Sequence, residues 1–251
     1  MPPQIDEHGD ADAASGSVGS RVARELHRGE QQILPAWRRL TNGEARWPAT
    51  LAVAIAIALE LALPDRLRLA NSWVLPAIEG GLLITLVAMN PGRIRHSSRR
   101  LRRMSLVLIA ALTVTNITAA ARLVRGMVKG TEGTDPTKLL LTGGSIWIAN
   151  VIVFALWYWE FDRGGPGDRA TAVDPHPDFV FPQMQAPDLA PHDWEPSFVD
   201  YLYLSFTNAT AFSPTDTLPF SRWAKVLMMT QSAVSLITVG LVIARAINIL
   251  K

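Results

Sequence analysis

Three sets of side chains have the types and spacing to do chemistry. The first is a ladder of hydroxyls, Thr207, Thr210, Ser213 and Thr215, that ends on the carboxylate of Asp216. Hydroxyl and carboxylate oxygens can all ligate a cation. Asp216 has a second reading, as the cap of its own turn. The second set is Glu60 and Glu79, each inside an otherwise apolar run. A carboxylate within a membrane is costly and marks a proton or cation site by default, or else faces a partner helix. The third set, Asp174, His176, Asp178, Asp188, His192 and Asp193, offers oxygen and nitrogen ligands. Prolines separate them and fix no coordination geometry, so no metal site is assigned and no cofactor is expected. There is no nucleophile elbow, phosphate loop or His-Glu helix motif, so an enzyme is not expected.

The elements that must hold these residues are set by apolar runs. The chain has 251 residues, 49% hydrophobic and 18% charged, against about 25% charge in a soluble domain. Charge is nearly absent from five runs: Trp47–Pro64, Ser72–Met89, Met104–Ala121, Lys138–Phe161 and Trp223–Leu250. Each approaches the ~20 residues that cross a bilayer as a helix. Residues 1–20 read as a disordered tail with no signal peptide behind it, and 21–46 as a basic interfacial segment. The region 47–130 then holds three transmembrane helices. The acidic, proline-rich stretch 162–196 reads as an irregular loop, anchored by Phe179, Phe181 and Trp194. After it, Ser197 is positioned as an N-cap, and Val199, Leu202, Tyr203 and Phe206 recur at helical spacing up to about Thr210. That helix is too short to cross. Asn116 and Asn150 are placed to hydrogen-bond across the third and fourth spans. No cysteine is present, so neither disulfide nor zinc-thiolate chemistry is available.

Long apolar helix, loop, short helix, polar turn, long apolar helix: this order over 138–251 resembles the pore module of tetrameric pore-loop cation channels. In the potassium channels of that superfamily the turn reads T-x-V-G-Y-G-D-x-x-P. Thr210, Ala211, Phe212, Ser213, Pro214, Thr215, Asp216 and Pro219 fall on those positions without a gap. The stretch "SLITVGLVIARAI" resembles the inner helix, with Gly240 on one frequent glycine and Ser235 where the hinge-like glycine often sits, an inner-helix bend. The filter departs from the pattern. Ser213 and Thr215 replace the two glycines whose backbone freedom aims carbonyls at the ion, and Pro214 fixes φ between them. The resemblance therefore implies a degenerate filter, weakly cation-selective or non-conducting, with monovalent cations as its ligands and a homotetramer as its assembly. The wider chain resembles bacterial multi-pass membrane proteins, which implies an inner-membrane location.

The fold expected is all-α and integral to the membrane, with about five transmembrane helices and one re-entrant half-helix. The partners expected are lipid and further copies of the chain. The arginine run from Arg93 to Arg103, between two spans, implies cytoplasmic placement rather than nucleic-acid binding. Counting spans from there puts the acidic loop and half-helix inside too, whereas potassium-channel pores face outward. Three resolutions stay open: an inverted module, as in glutamate-receptor-like channels; a violated charge rule, given Arg122, Arg125, Lys129 and Lys138; or a segment that does not cross. Two other function classes remain beside the channel: a membrane scaffold or partner-binding subunit, and a small proton-coupled transporter using Glu60 and Glu79.

Overall fold

The computed structural model describes residues 35–69, 73–94, 98–131, 135–210 and 216–250. The main helices are α1 (Trp47–Ala62), α2 (Val74–Met89), α3 (Arg99–Val128), α4 (Pro136–Phe161), α5 (Phe198–Thr210) and α6 (Arg222–Leu250), all but α5 lying on the five apolar runs. α3, α4 and α6 are long and apolar enough to cross a membrane. α1 and α2 are apolar but have 16 residues each, about 24 Å at 1.5 Å per residue, short of a ~30 Å hydrocarbon core.

Local chemistry sets the helix ends. α4 opens on Asp135, whose carboxylate accepts from the amides of Thr137 and Lys138, with Pro136 at the first turn. α3 outruns its apolar core at both ends. It starts within the arginine run, since Arg and Leu favour helix, and continues through Arg122 and Arg125. It stops where Gly130 adopts φ 70°, with Thr131 N–H bonded to the Gly126 carbonyl and Gly130 N–H to that of Met127.

α4 is the central element, packed against α1, α3, α5 and α6. Gly143 permits one of these approaches: a Cβ there would lie 2.7 and 2.9 Å from the two methyls of Val242 on α6. The other face of α6 is open, with Val226, Met229, Leu236, Ile237, Ile243 and Ile247 exposed.

The stretch 162–196 is not wholly irregular. It contains the helical turn Asp162–Gly164 and the short helical pieces Pro166–Ala170, Pro182–Gln185 and Pro187–Leu189, the last three each beginning at a proline suited to a first turn. Two small ribbons tie the loop end of the bundle together. β1 (Glu44–Ala45) pairs antiparallel with β2 (Arg93–Ile94), and β3 (Phe179–Val180) with β4 (Leu218–Pro219). Arg102 reaches Asp168 at 3.3 Å, and Arg39 donates to the His192 carbonyl. The arginine run and the acidic loop therefore share one end of the molecule. Since α1 and α2 form a hairpin, this holds whether or not that hairpin crosses.

Candidate functional site

α5 is the element on which the sequence argument converges, and two polar assemblies hold it. Its start is capped twice. The Ser197 amide and hydroxyl both donate to the Asp200 carboxylate, at 2.8 and 2.9 Å, so the third helical residue reaches back to the residue before the helix. The first helical amide, Phe198 N–H, donates to Glu44 Oε2 at 3.0 Å.

Glu44 belongs to a buried ionic clamp. Its Oε1 pairs with Arg169 at 2.7 Å, and Arg169 also donates to the carbonyls of Trp159 and Asp162. Asp162 accepts from the Tyr201 hydroxyl at 2.5 Å and from the Asp178 amide at 2.8 Å. Asp178 in turn accepts from the Arg163 amide and the Trp223 indole. Burial pushes the Glu44 carboxyl above the ordinary carboxylate range, with Arg169 opposing. Burial also works against the Arg169 charge, but Tyr201, Glu44 and Asp162 hold it above the usual arginine value. The turn that makes this possible is strained: Arg163 sits at φ 48°, and Gly165 at φ 97° has a carbonyl oxygen 2.8 Å from where a Cβ would be. The clamp joins the N-terminal segment, the end of α4, the loop, α5 and the start of α6.

Deeper in the bundle, α5 is latched by amides and hydroxyls. The Tyr158 hydroxyl donates to Gln231 Oε1 at 2.6 Å, and Asn208 Nδ2 donates to the same oxygen at 2.8 Å. Gln231 Nε2 donates to the Ser205 hydroxyl at 2.6 Å, which itself donates to the Val151 carbonyl. Ser235 donates to the Ala209 carbonyl at 2.5 Å and accepts from the Trp147 indole at 2.8 Å. Gln231, Ser205 and Ser235 are essentially inaccessible. The last turn of α5 thus abuts the middle of α6. By Leu218 the chain is back at the loop end, in β4.

The face α5 buries differs from the stripe read in the sequence. Val199, Tyr203 and Phe206 are exposed, while Phe198, Tyr201, Leu204 and Ser205 are buried. Polar partners on α4 and α6 draw the mixed face inward and leave the apolar face outside. Thr207 and Thr210 are half-buried, and both hydroxyls donate to carbonyls of their own helix. Asn208 belongs to the latch, and it also donates to the Met228 carbonyl at 3.0 Å. Ala211, Phe212, Ser213, Pro214 and Thr215 lie outside the described residues. Asp216 is exposed, and its carbonyl accepts from Gln185.

Ser235 serves as the latch just described, and α6 runs as one helix through it. Gly240 is exposed, with nothing within 4 Å of a Cβ added there. An apolar groove of about 520 Å³ opens between α4, the end of α5 and α6, lined by Gly144, Trp147, Thr210, Leu236 and Val239 among others.

Glu60 and Glu79 meet between α1 and α2, close enough to hydrogen-bond. No hydrogen bond joins Asn116 to Asn150; both polar atoms of Asn150 are buried without a partner. The residues of the acidic loop do not gather. Asp174 accepts from the His176 amide, Asp178 belongs to the clamp, and no metal-ligating cluster occurs among the described residues. Phe179 and Phe181 are buried anchors, as their position in the loop suggested, and Trp194 packs against Phe181.

The sequence reading missed Glu44, Asp162, Arg169 and Gln231. The available signal was two arginines alone in an acidic loop, and a glutamine in an apolar span. Compared with protein-family models, with curated proteins and with solved structures, the chain matches none.

Proposed function

We propose that this chain is a channel-like membrane protein whose C-terminal part, from α4 onward, is a pore-loop module with a degenerate filter. In this reading α5 is a re-entrant half-helix, and four copies enclose the turn that follows it. The observation that carries it is the path of α5. It starts at the ionic clamp at the loop end, stops against the middle of α6, and is followed at Leu218 by chain back at the loop end. The C-terminal, negative end of the helix dipole then points into the bundle, where it favours a cation. The Thr207 and Thr210 hydroxyls keep lone pairs for such an ion after donating within the helix. The exposed Asp216 adds a carboxylate at the mouth. Ser213, Pro214 and Thr215 rule out a potassium-type carbonyl ladder, so the module passes partly hydrated cations with little discrimination, or passes none.

The arginine run shares the loop end, so the positive-inside rule turns this module toward the cytoplasm, the inverted arrangement. Purified protein in planar bilayers is the test. Cation currents that fall in Asp216→Asn support the channel. Silence from intact tetramers moves the chain to the scaffold class, in which α5 merely fills the core. Monomeric particles contradict both the pore and its assembly.

A further inference from the structure

We propose that Glu60 and Glu79 form a proton-binding site in the N-terminal helices: the pair holds one exchangeable proton between its two carboxyls at neutral pH. This stands independently of the pore-loop reading.

The argument starts from hydrogen-bond inventory. Glu79 is wholly inaccessible, and among the described residues neither of its carboxyl oxygens has a hydrogen-bond donor. Glu60 is 9% exposed, and its Oε2 likewise lacks a donor among the described residues; the Thr115 hydroxyl lies beside Glu60 but donates to the Leu112 carbonyl at 3.0 Å. Yet the two carboxyls lie within hydrogen-bonding reach of each other. Ionised carboxylates only accept, so the hydrogen that joins them is a proton carried by one of the two. Two like charges in contact in a medium of low dielectric would also repel strongly, which is why paired acids share a proton.

The surrounding charges do not change this. The cation whose charge reaches Glu60, Arg68, is engaged by Asp65 at 3.1 Å and by the Leu61 carbonyl. Arg122 on α3 is directed to the Arg68 carbonyl. α3 and α4 offer only the uncharged Thr115, Asn116 and Ser145 where they face the site.

Exchange needs a path. Glu60 lines a cavity of about 20 Å³ with Thr115, Asn116 and Ser145, room for about one water. The pair is not deep within its helices. Glu60 is two residues from the end of α1, and Glu79 five residues after the start of α2. At 1.5 Å per residue that is roughly 3–8 Å from the turn joining them, at the end away from the acidic loop. A metal ion is the poorer fit, since it requires several converging oxygens.

Infrared difference spectroscopy tests this, comparing the wild type with Glu60→Gln/Glu79→Gln. Glutamine is isosteric with a protonated glutamate, so the double variant keeps the shape while removing both acids. At about pH 7, well above the ~4.3 of a free glutamate, the difference spectrum should show one protonated carboxyl per chain. Its band should shift in D2O and be indifferent to sodium. No such band, a band that does not shift in D2O, or a band abolished by sodium would overturn the proposal. The last outcome would assign the pair to a metal cation.

Discussion

Gln231 satisfies three partners at once: the Tyr158 hydroxyl, the Asn208 amide and the Ser205 hydroxyl. Gln231→Leu keeps the volume roughly and leaves all three without that partner in a buried setting. We expect a loss of about 1–3 kcal/mol, read as a lower melting temperature in detergent. An unchanged melting point would mean the latch carries nothing. The clamp gives a sharper contrast. Arg169→Met leaves Glu44 buried beside an apolar side chain and should cost about 3–5 kcal/mol. Adding Glu44→Gln removes the orphaned charge and should restore much of that stability; equal damage in single and double variants would contradict the pairing. None of this was legible from residue types alone. A glutamine or serine in an apolar span has the same identity whether it lines a pore or bonds a neighbouring helix. Only the packing partner decides, and for Gln231, Ser235 and Asn208 the partner is α5 or its neighbour. Glu44 and Arg169 stand far apart in sequence, so no local pattern links them.

The helices themselves were largely readable, because apolar runs bounded by proline, tryptophan and charge leave few alternatives. α1, α2, α4 and α6 fall within two residues of their apolar limits. α3 runs longer because helix propensity, not apolarity, sets its ends. For α5 the periodicity gave the helix but not which of its faces turns inward. In a membrane an apolar face of a short helix can face lipid while a mixed face, here the one with Tyr201 and Ser205, seeks polar partners on other helices. Small residues are informative here too. Gly143→Ala would drive a Cβ to within 2.7 Å of a Val242 methyl. Val242 is branched and stiff, so the helices must part, at a cost of about 1–3 kcal/mol. Val242→Ala should relieve this in the double variant. If Gly143→Ala alone melts like the wild type, α4 and α6 do not pack this closely. Gly240→Ala, facing open space, should be silent in the same assay.

For the molecule as a whole, the clamp ties the loop end into one region that carries the arginine run, the acidic loop, the start of α5 and the chain from Leu218 onward. This is a statement about sidedness that no count of spans could supply, since the sequence left an inverted module, a violated charge rule and a non-crossing segment equally open. The central claim is that α5 enters from that end and the chain returns to it. The chain has no native cysteine, so single cysteines can be placed cleanly. In sealed vesicles, Leu189→Cys and Asp216→Cys should react with a membrane-impermeant thiol reagent from the same side, with Ala209→Cys protected from both. Opposite sidedness of positions 189 and 216, or free reactivity at 209, would contradict the account.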